Sequence, residues 1–180
     1  EITANYKENR TLHFIQEVTL NYAYSTISIN VVKQTIVMFL SEVLSNALRE
    51  EETNINLYSY LETALIWLDT HNKTSNFHLF FLMNLTKYLG FYPEKKNSSL
   101  YFDLEEGKFS NHIKSKNYIS GENLIHFKEL LGTNFDILNR LKFNKKIRQN
   151  MLEILIQYFE LHLSGFNRPK SLAILKAVFE

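Results

Sequence analysis

The stretch Asn76 to Pro93 reads NFHLFFLMNLTKYLGFYP, and its reading decides the fold class. Apolar residues fall on nearly every side of a helical period: Phe77, Leu79, Phe80, Phe81, Leu82, Met83, Leu85, Tyr88 and Leu89. A helix without a polar face has no solvent side and belongs at the centre of an assembly of other elements. Ser75 or Asn76 opens it, Gly90 stands where a left-handed cap would end it, and Pro93 confirms the stop. His78 sits within this apolar run and reads as a core or boundary imidazole rather than a ligand.

The flanking sequence supplies the partners of such a helix. Upstream, Ile29, Val32, Ile36, Phe39, Leu40, Val43, Leu44 and Leu48 recur every three or four residues behind a cap at Asn30 or Ser28. The acid run Glu50 to Glu52 marks the exit of that helix, and Asn54 or Asn56 starts another with Leu57, Leu61, Leu65 and Leu68 on one stripe. These two helices are expected to pack antiparallel. Downstream, Leu124, Phe127, Leu130 and Leu131 form a short helix from Ser120 to Gly132. A long one runs from Asn144 to Leu163, with Ile147, Met151, Leu152, Leu155, Ile156 and Phe159 inward and Gly165 beyond it. Pro169 at a first turn, with Leu172, Leu175, Ala177, Val178 and Phe179, makes a last helix.

Two segments alternate with a period of two instead. Leu100, Phe102 and Leu104 against Tyr101, Asp103 and Glu105, followed by Glu106 and Gly107, predict a short hairpin. Leu12, Phe14, Val18 and Leu20 predict one strand near the start, with Ile15 and Gln16 out of phase. The fold expected is therefore mostly α, a bundle of about six helices with one short β-hairpin, preceded by a strand without an evident partner.

With 180 residues and 45% hydrophobic content the chain can fill one core. Twenty Lys and Arg balance nineteen Asp and Glu, so any nucleic-acid site must be a local patch. There is no cysteine, which fits a reducing cytoplasm and removes disulfides, thiolate metal sites and cysteine nucleophiles. The six histidines are scattered without the i, i+4 spacing that holds zinc on one helical face, so no metal or other cofactor is expected. No glycine-rich phosphate loop or G-x-S-x-G turn exists, and the acids at 50–52 and at Asp103, Glu105 and Glu106 read as solvated faces. The chain is expected not to be an enzyme. No apolar run is long enough to span a bilayer, and the start has no signal-peptide character.

One charge feature stands out: Arg140, Lys142, Lys145, Lys146 and Arg148 are five cations in nine residues with no acid among them. Lys145, Lys146 and Arg148 fall near the start of the long helix, where a cation opposes the macrodipole at a cost of about 0.3–1 kcal/mol when exposed. Local helix stability does not account for them. Contact with an external phosphate does, and the five are the candidate DNA-binding residues.

Four stretches, taken in order, resemble the RecO family of bacterial recombination mediators, in its Bacteroidetes form. They are Leu40 to Glu52 (LSEVLSNALREEE), Asn76 to Pro93, Tyr101 to Phe109 (YFDLEEGKF) and Tyr158 to Leu172 (YFELHLSGFNRPKSL). The resemblance covers about residues 25–180 and implies the family's C-terminal helical domain. It implies that residues 1–24 are the end of an N-terminal OB-fold barrel, the rest of which lies outside these 180 residues, as expected of a fragment opening on Glu1. A remnant strand of this kind is expected to be disordered or to pair with another chain. Some relatives carry a four-cysteine zinc knuckle around positions 93–116. Its scaffold here would be the hairpin, held by Phe102, Leu104 and Phe109.

The resemblance further implies DNA repair and recombination in the cytoplasm. Its expected partners are single- and double-stranded DNA, the acidic, phenylalanine-ended C-terminal tail of single-strand-binding protein, and RecR through the barrel. The expected work is strand annealing and, with RecR, RecA loading. Basic positions near the third helix of distant relatives are here Leu79 and Phe80, and Lys87 is the only cation of that helix. The alternative expectation is a helical protein-interaction module with no DNA binding of its own.

Overall fold

The structure, a computed structural model, describes residues 1–48, 53–94 and 99–179. The acid run at 50–52 lies outside the described residues. Six α-helices are described: α1 (Val31–Ala47), α2 (Ile55–Thr70), α3 (Phe77–Tyr88), α4 (Gly121–Leu131), α5 (Lys145–His162) and α6 (Leu172–Val178). Two small antiparallel sheets accompany them. One is a ribbon of β1 (Ile2–Asn5) and β2 (Phe14–Val18); the other orders β3 (Tyr101–Asp103) between β4 (Lys108–Ser110) and β5 (Tyr118–Ser120).

Helix α3 is the hub. Every residue from Phe77 to Thr86 is buried, and α2, α4 and α5 pack around it. Two of its polar members are satisfied locally, Asn84 Nδ2 donating to Phe80 O at 2.9 Å and Thr86 Oγ1 to Met83 O at 2.7 Å, while the buried His78 Nδ1 has no hydrogen-bond partner. Gly90, at φ +85°, turns the chain out of the helix. Phe91 N–H then reaches back to Thr86 O at 3.1 Å, the bond of a Schellman cap that only a left-handed residue allows at low cost.

Local chemistry sets the other helix starts. Asn30, Asn54 and Asn144 accept from the backbone N–H of Lys33, Leu57 and Ile147, so each is an N-cap. Helices α1 and α2 run antiparallel, as the start of one meets the end of the other at Asp69. That carboxylate is buried and accepts from the backbone N–H of Ser25, Thr26 and Ile27 at 2.8–2.9 Å. Burial raises its pKa, but those bonds win and hold it well below the usual carboxylate range. The stabilisation is full above the ordinary carboxylate pKa and is lost as the pH falls through the lowered value. The buried Lys33 ammonium completes the junction, donating to Thr26 Oγ1 at 2.6 Å and Asp69 O at 2.8 Å. At the other end of the chain, Glu42 on α1 accepts from Lys170 N, Ser171 N and Ser171 Oγ, capping α6 from outside its own sequence.

Several expectations need correction. The early strand is not alone: β2 pairs with β1, in the register Ile2↔Val18, Thr3↔Glu17, Ala4↔Ile15. Gln16 is skipped in that ladder, so the out-of-phase Ile15-Gln16 step is a β-bulge. All nine residues of the two strands are exposed. On α2 the buried face is Leu57, Tyr60, Ala64, Trp67 and Leu68, while Leu61 and Leu65 are half-buried. The aromatic rings draw the helix round, because Trp67 stacks on Phe77 (5.5 Å) and Tyr60 Oη donates to Phe81 O (3.0 Å). Ile29 and Leu48 lie outside α1 and are exposed, and α6 begins at Leu172, a turn after Pro169. The hairpin is present and gains a third strand, β5. Phe102, Leu104 and Phe109 are buried, with Phe102 against Phe127 and Tyr158.

Phe81 is 1% exposed and touches rings from α2 and its own helix. Replacing it with Ala removes a large side chain from a site that cannot collapse and costs about 3–5 kcal/mol. Urea denaturation checks this; a midpoint near that of the parent chain would mean that α3 is not the hub.

Candidate nucleic-acid interface

The cationic segment is built by alternating anchors and exposed charges. Leu138, buried at 2% exposure, pins a 3-10 turn at Leu138–Arg140, and Phe143, at 6%, pins the entry to α5. Arg140 and Lys142 fall on either side of the half-buried Leu141 and project to solvent. Asn144 then caps α5, its Oδ1 accepting from Ile147 N at 2.9 Å and its O from Arg148 N at 3.0 Å. Lys145 and Lys146 occupy the first two helical positions, whose backbone N–H groups have no partner within a helix. Arg140, Lys142, Lys145 and Lys146 are exposed, and none forms an ion pair with a described acid.

Arg148 is set apart from these four. It is half-buried, its Nη1 donates to Phe143 O at 2.6 Å, and its guanidinium lies 5.6 Å from the Phe179 ring centre. Desolvation lowers its pKa, though it stays cationic. Behind it His78 is fully buried and stacked on the same Phe179 ring at 5.2 Å. Burial, helped by the Arg148 charge, pushes the imidazole down to about 3, so it is neutral near pH 7. Arg148 therefore ties α5 to α6 and the 143 carbonyl, a positioning role that nothing in its sequence context signalled.

Two hollows lie elsewhere. A groove of about 560 Å³ opens between the ends of α1, α2, α3 and α5, with Leu48, Leu57, Tyr58, Tyr88 and His162 on its walls. A smaller one, about 300 Å³, adjoins the cationic segment: Val32, Leu138, Leu141 and Phe179 give it an apolar floor, with Lys73 and Asn76 at the start of α3. Among the described residues no group of histidines and carboxylates could hold a metal ion, and no helix is long and apolar enough to cross a membrane. Asp103, read from the sequence as part of a solvated acidic face, is buried instead. Asp103 Oδ1 accepts from Glu105 N and Glu106 N, and Glu105 Oε1 accepts from Asn117 Nδ2.

Fold and site together define a helical domain with an exposed cationic edge at the start of α5. A sequence-family model described as "Recombination protein O C terminal" matches residues 30–173. The chain is 44% identical over 180 residues to the DNA repair protein RecO of Flavobacterium johnsoniae and 41% identical to that of Christiangramia forsetii, in each case over 99% of this chain and 75% of the relative. It is 33% identical to the RecO of Bacteroides fragilis over 100% of this chain and 76% of the relative. No solved structure matches it. The chain belongs to the RecO family, in its Bacteroidetes branch, and contains the family's C-terminal domain.

Arg148 and its exposed neighbours are expected to separate in a stability measurement. Arg148→Ala removes the bond to Phe143 O and the packing on Phe179, and lowers stability by about 1–3 kcal/mol. Lys145→Ala changes it by less than about 0.5 kcal/mol or raises it. Paired denaturation curves check this, and equal midpoints would return Arg148 to the exposed set.

Proposed function

We propose that this chain is a non-catalytic domain of a DNA repair and recombination mediator acting in the cytoplasm, and that it holds DNA by its phosphates through Arg140, Lys142, Lys145 and Lys146. The observation that carries the reading is the placement of Lys145 and Lys146. They stand exposed, without an ion pair to a described acid, at a helix start where the dipole disfavours them. A phosphate reverses that sign, since it meets both the ammonium groups and the free N–H groups of the first turn. Contacts of this kind position the strand without reading its bases, so single- and double-stranded DNA are both ligands.

The family's further partners fit the same edge. The 300 Å³ hollow, with its apolar floor, Lys73 and the neighbouring Arg140, suits the acidic, phenylalanine-ended tail of single-strand-binding protein. RecR contact and RecA loading belong to the same proposal, with RecR engaging through the barrel domain to which the exposed β1–β2 ribbon would contribute.

Titration of an oligonucleotide at several salt concentrations tests the DNA reading. Each single-strand phosphate neutralised contributes about 0.7 to the slope of log affinity against log salt. Lys145→Gln with Lys146→Gln is expected to reduce the slope by about 1.4, for all sequences alike and with helicity unchanged. An unchanged slope would overturn the assignment and leave a protein-interaction module.

A further inference from the structure

A second cationic segment lies at the far end of α5. From Ser110 to Gly121 the chain carries no acid, and the β4–β5 connection within it exposes His112, Lys114 and Lys116. Neither lysine forms an ion pair with a described acid. Tyr118 opens β5 beside them, 39% exposed, its ring held edge-on by Tyr101 at 5.6 Å. The loop is rigidly placed through Asn117, which lies between Lys116 and Tyr118. Asn117 O accepts from Leu104 N at 2.8 Å and from Ser115 Oγ at 3.1 Å, and its Oδ1 accepts from Gln157 Nε2 at 2.9 Å.

Gln157 connects this loop to the first patch. Lys146, Asn150, Glu153 and Gln157 follow one another at helical spacing on one face of α5. At 1.5 Å per residue, Lys146 and Gln157 are about 17 Å apart along the axis. The acids on this face are cancelled: Glu153 pairs with Arg168 (2.8 Å) and with Lys176, and Glu160 pairs with Arg168 (3.1 Å). A polyanion leaving Lys146 therefore meets no unpaired carboxylate on α5 before it reaches Lys116. Glu105, Glu106 and Glu122 are exposed outside the loop, on the β3–β4 turn and at the start of α4, and Glu105 Oε1 accepts from Asn117 Nδ2 at 2.8 Å.

We propose that the β4–β5 loop, through Lys114, Lys116 and the Tyr118 ring, is the second anchor of a single nucleic-acid strand whose first anchor is Lys145 and Lys146. This rests on the phosphate-binding reading above and extends it. A stacked strand places a phosphate about every 3.4 Å, so the span between anchors holds about five nucleotides. The strand is single because an exposed tyrosine ring offers a base-stacking surface, which paired bases inside a duplex cannot use.

The experiment is fluorescence anisotropy of a labelled fifteen-nucleotide oligo-dT with the full 180-residue chain over a salt series. Lys114→Gln with Lys116→Gln changes two exposed side chains without described hydrogen bonds. It is expected to lower the salt slope by about 1.4 and affinity on the order of tenfold at 0.1 M salt. Tyr118→Ala is expected to weaken binding about five- to tenfold with the slope unchanged, because stacking releases no counterions. If the loop-lysine variant keeps the parental slope while Lys145→Gln with Lys146→Gln lowers it, the second anchor is overturned and the first stands. If neither pair changes the slope, both readings fall. If the lysines matter but Tyr118→Ala binds like the parent, the loop accepts any polyanion, and the single-strand assignment is overturned.

Discussion

The burial of α3 on all sides is the constraint from which the rest of the structure follows. A helix with Phe77, Leu79, Phe80, Phe81, Leu82, Met83 and Leu85 all at 2% exposure or less leaves no face for solvent. Its neighbours must surround it, so each of them is amphipathic. At roughly 25 cal/mol per Å² of apolar surface, such rings and branched chains dominate the favourable side of folding. The cost is specificity of shape, since a core this aromatic accepts few rearrangements. His78 shows the limit: a polar ring is admitted only in its neutral form, stacked on Phe179.

The same constraint leaves the periphery for any ligand, and the proposed site lies there at the start of α5. The apolar face of α5 packs on α3 and α4, which fixes its axis and aims its first turn outward. Arg148 sits at the boundary and is spent on tethering, with Phe143 O on one side and Phe179 on the other. Lys145 and Lys146, just before it, are exposed and form no ion pair with a described acid. The domain thus offers a rigid scaffold with an exposed cationic edge, and an edge fixed by packing needs little ordering when it binds.

Much of the fold was legible in the sequence because helices are written locally. The Asn caps at Asn30, Asn54 and Asn144 and the turn at Gly90 act within a few residues of themselves, and each stands where its pattern placed it. What stayed hidden depends on distant partners. β1 and β5 are four and three residues long, too short to show alternation. The turn of α2 toward Trp67 and Tyr60 is set by rings on α3. Asp69 and Glu42 look like solvated acids until the fold delivers backbone N–H groups to them from 42–44 and 128–129 positions away. At the site, the cationic run was legible as charge alone. The sequence did not reveal that Arg148 faces inward, or that Asn117 brings Lys114 and Lys116 to the far end of α5.

The central claim is that one rigid hub presents the start of α5 to an anion, and amide hydrogen exchange with and without a single-stranded oligonucleotide tests it most directly. The α3 amides are expected to exchange most slowly in both states, opening only with global unfolding. Added oligonucleotide is expected to slow exchange at the unbonded amides of Lys145 and Lys146. Protection confined to the β1–β2 ribbon, or α3 amides exchanging as fast as those of α6, would contradict the claim.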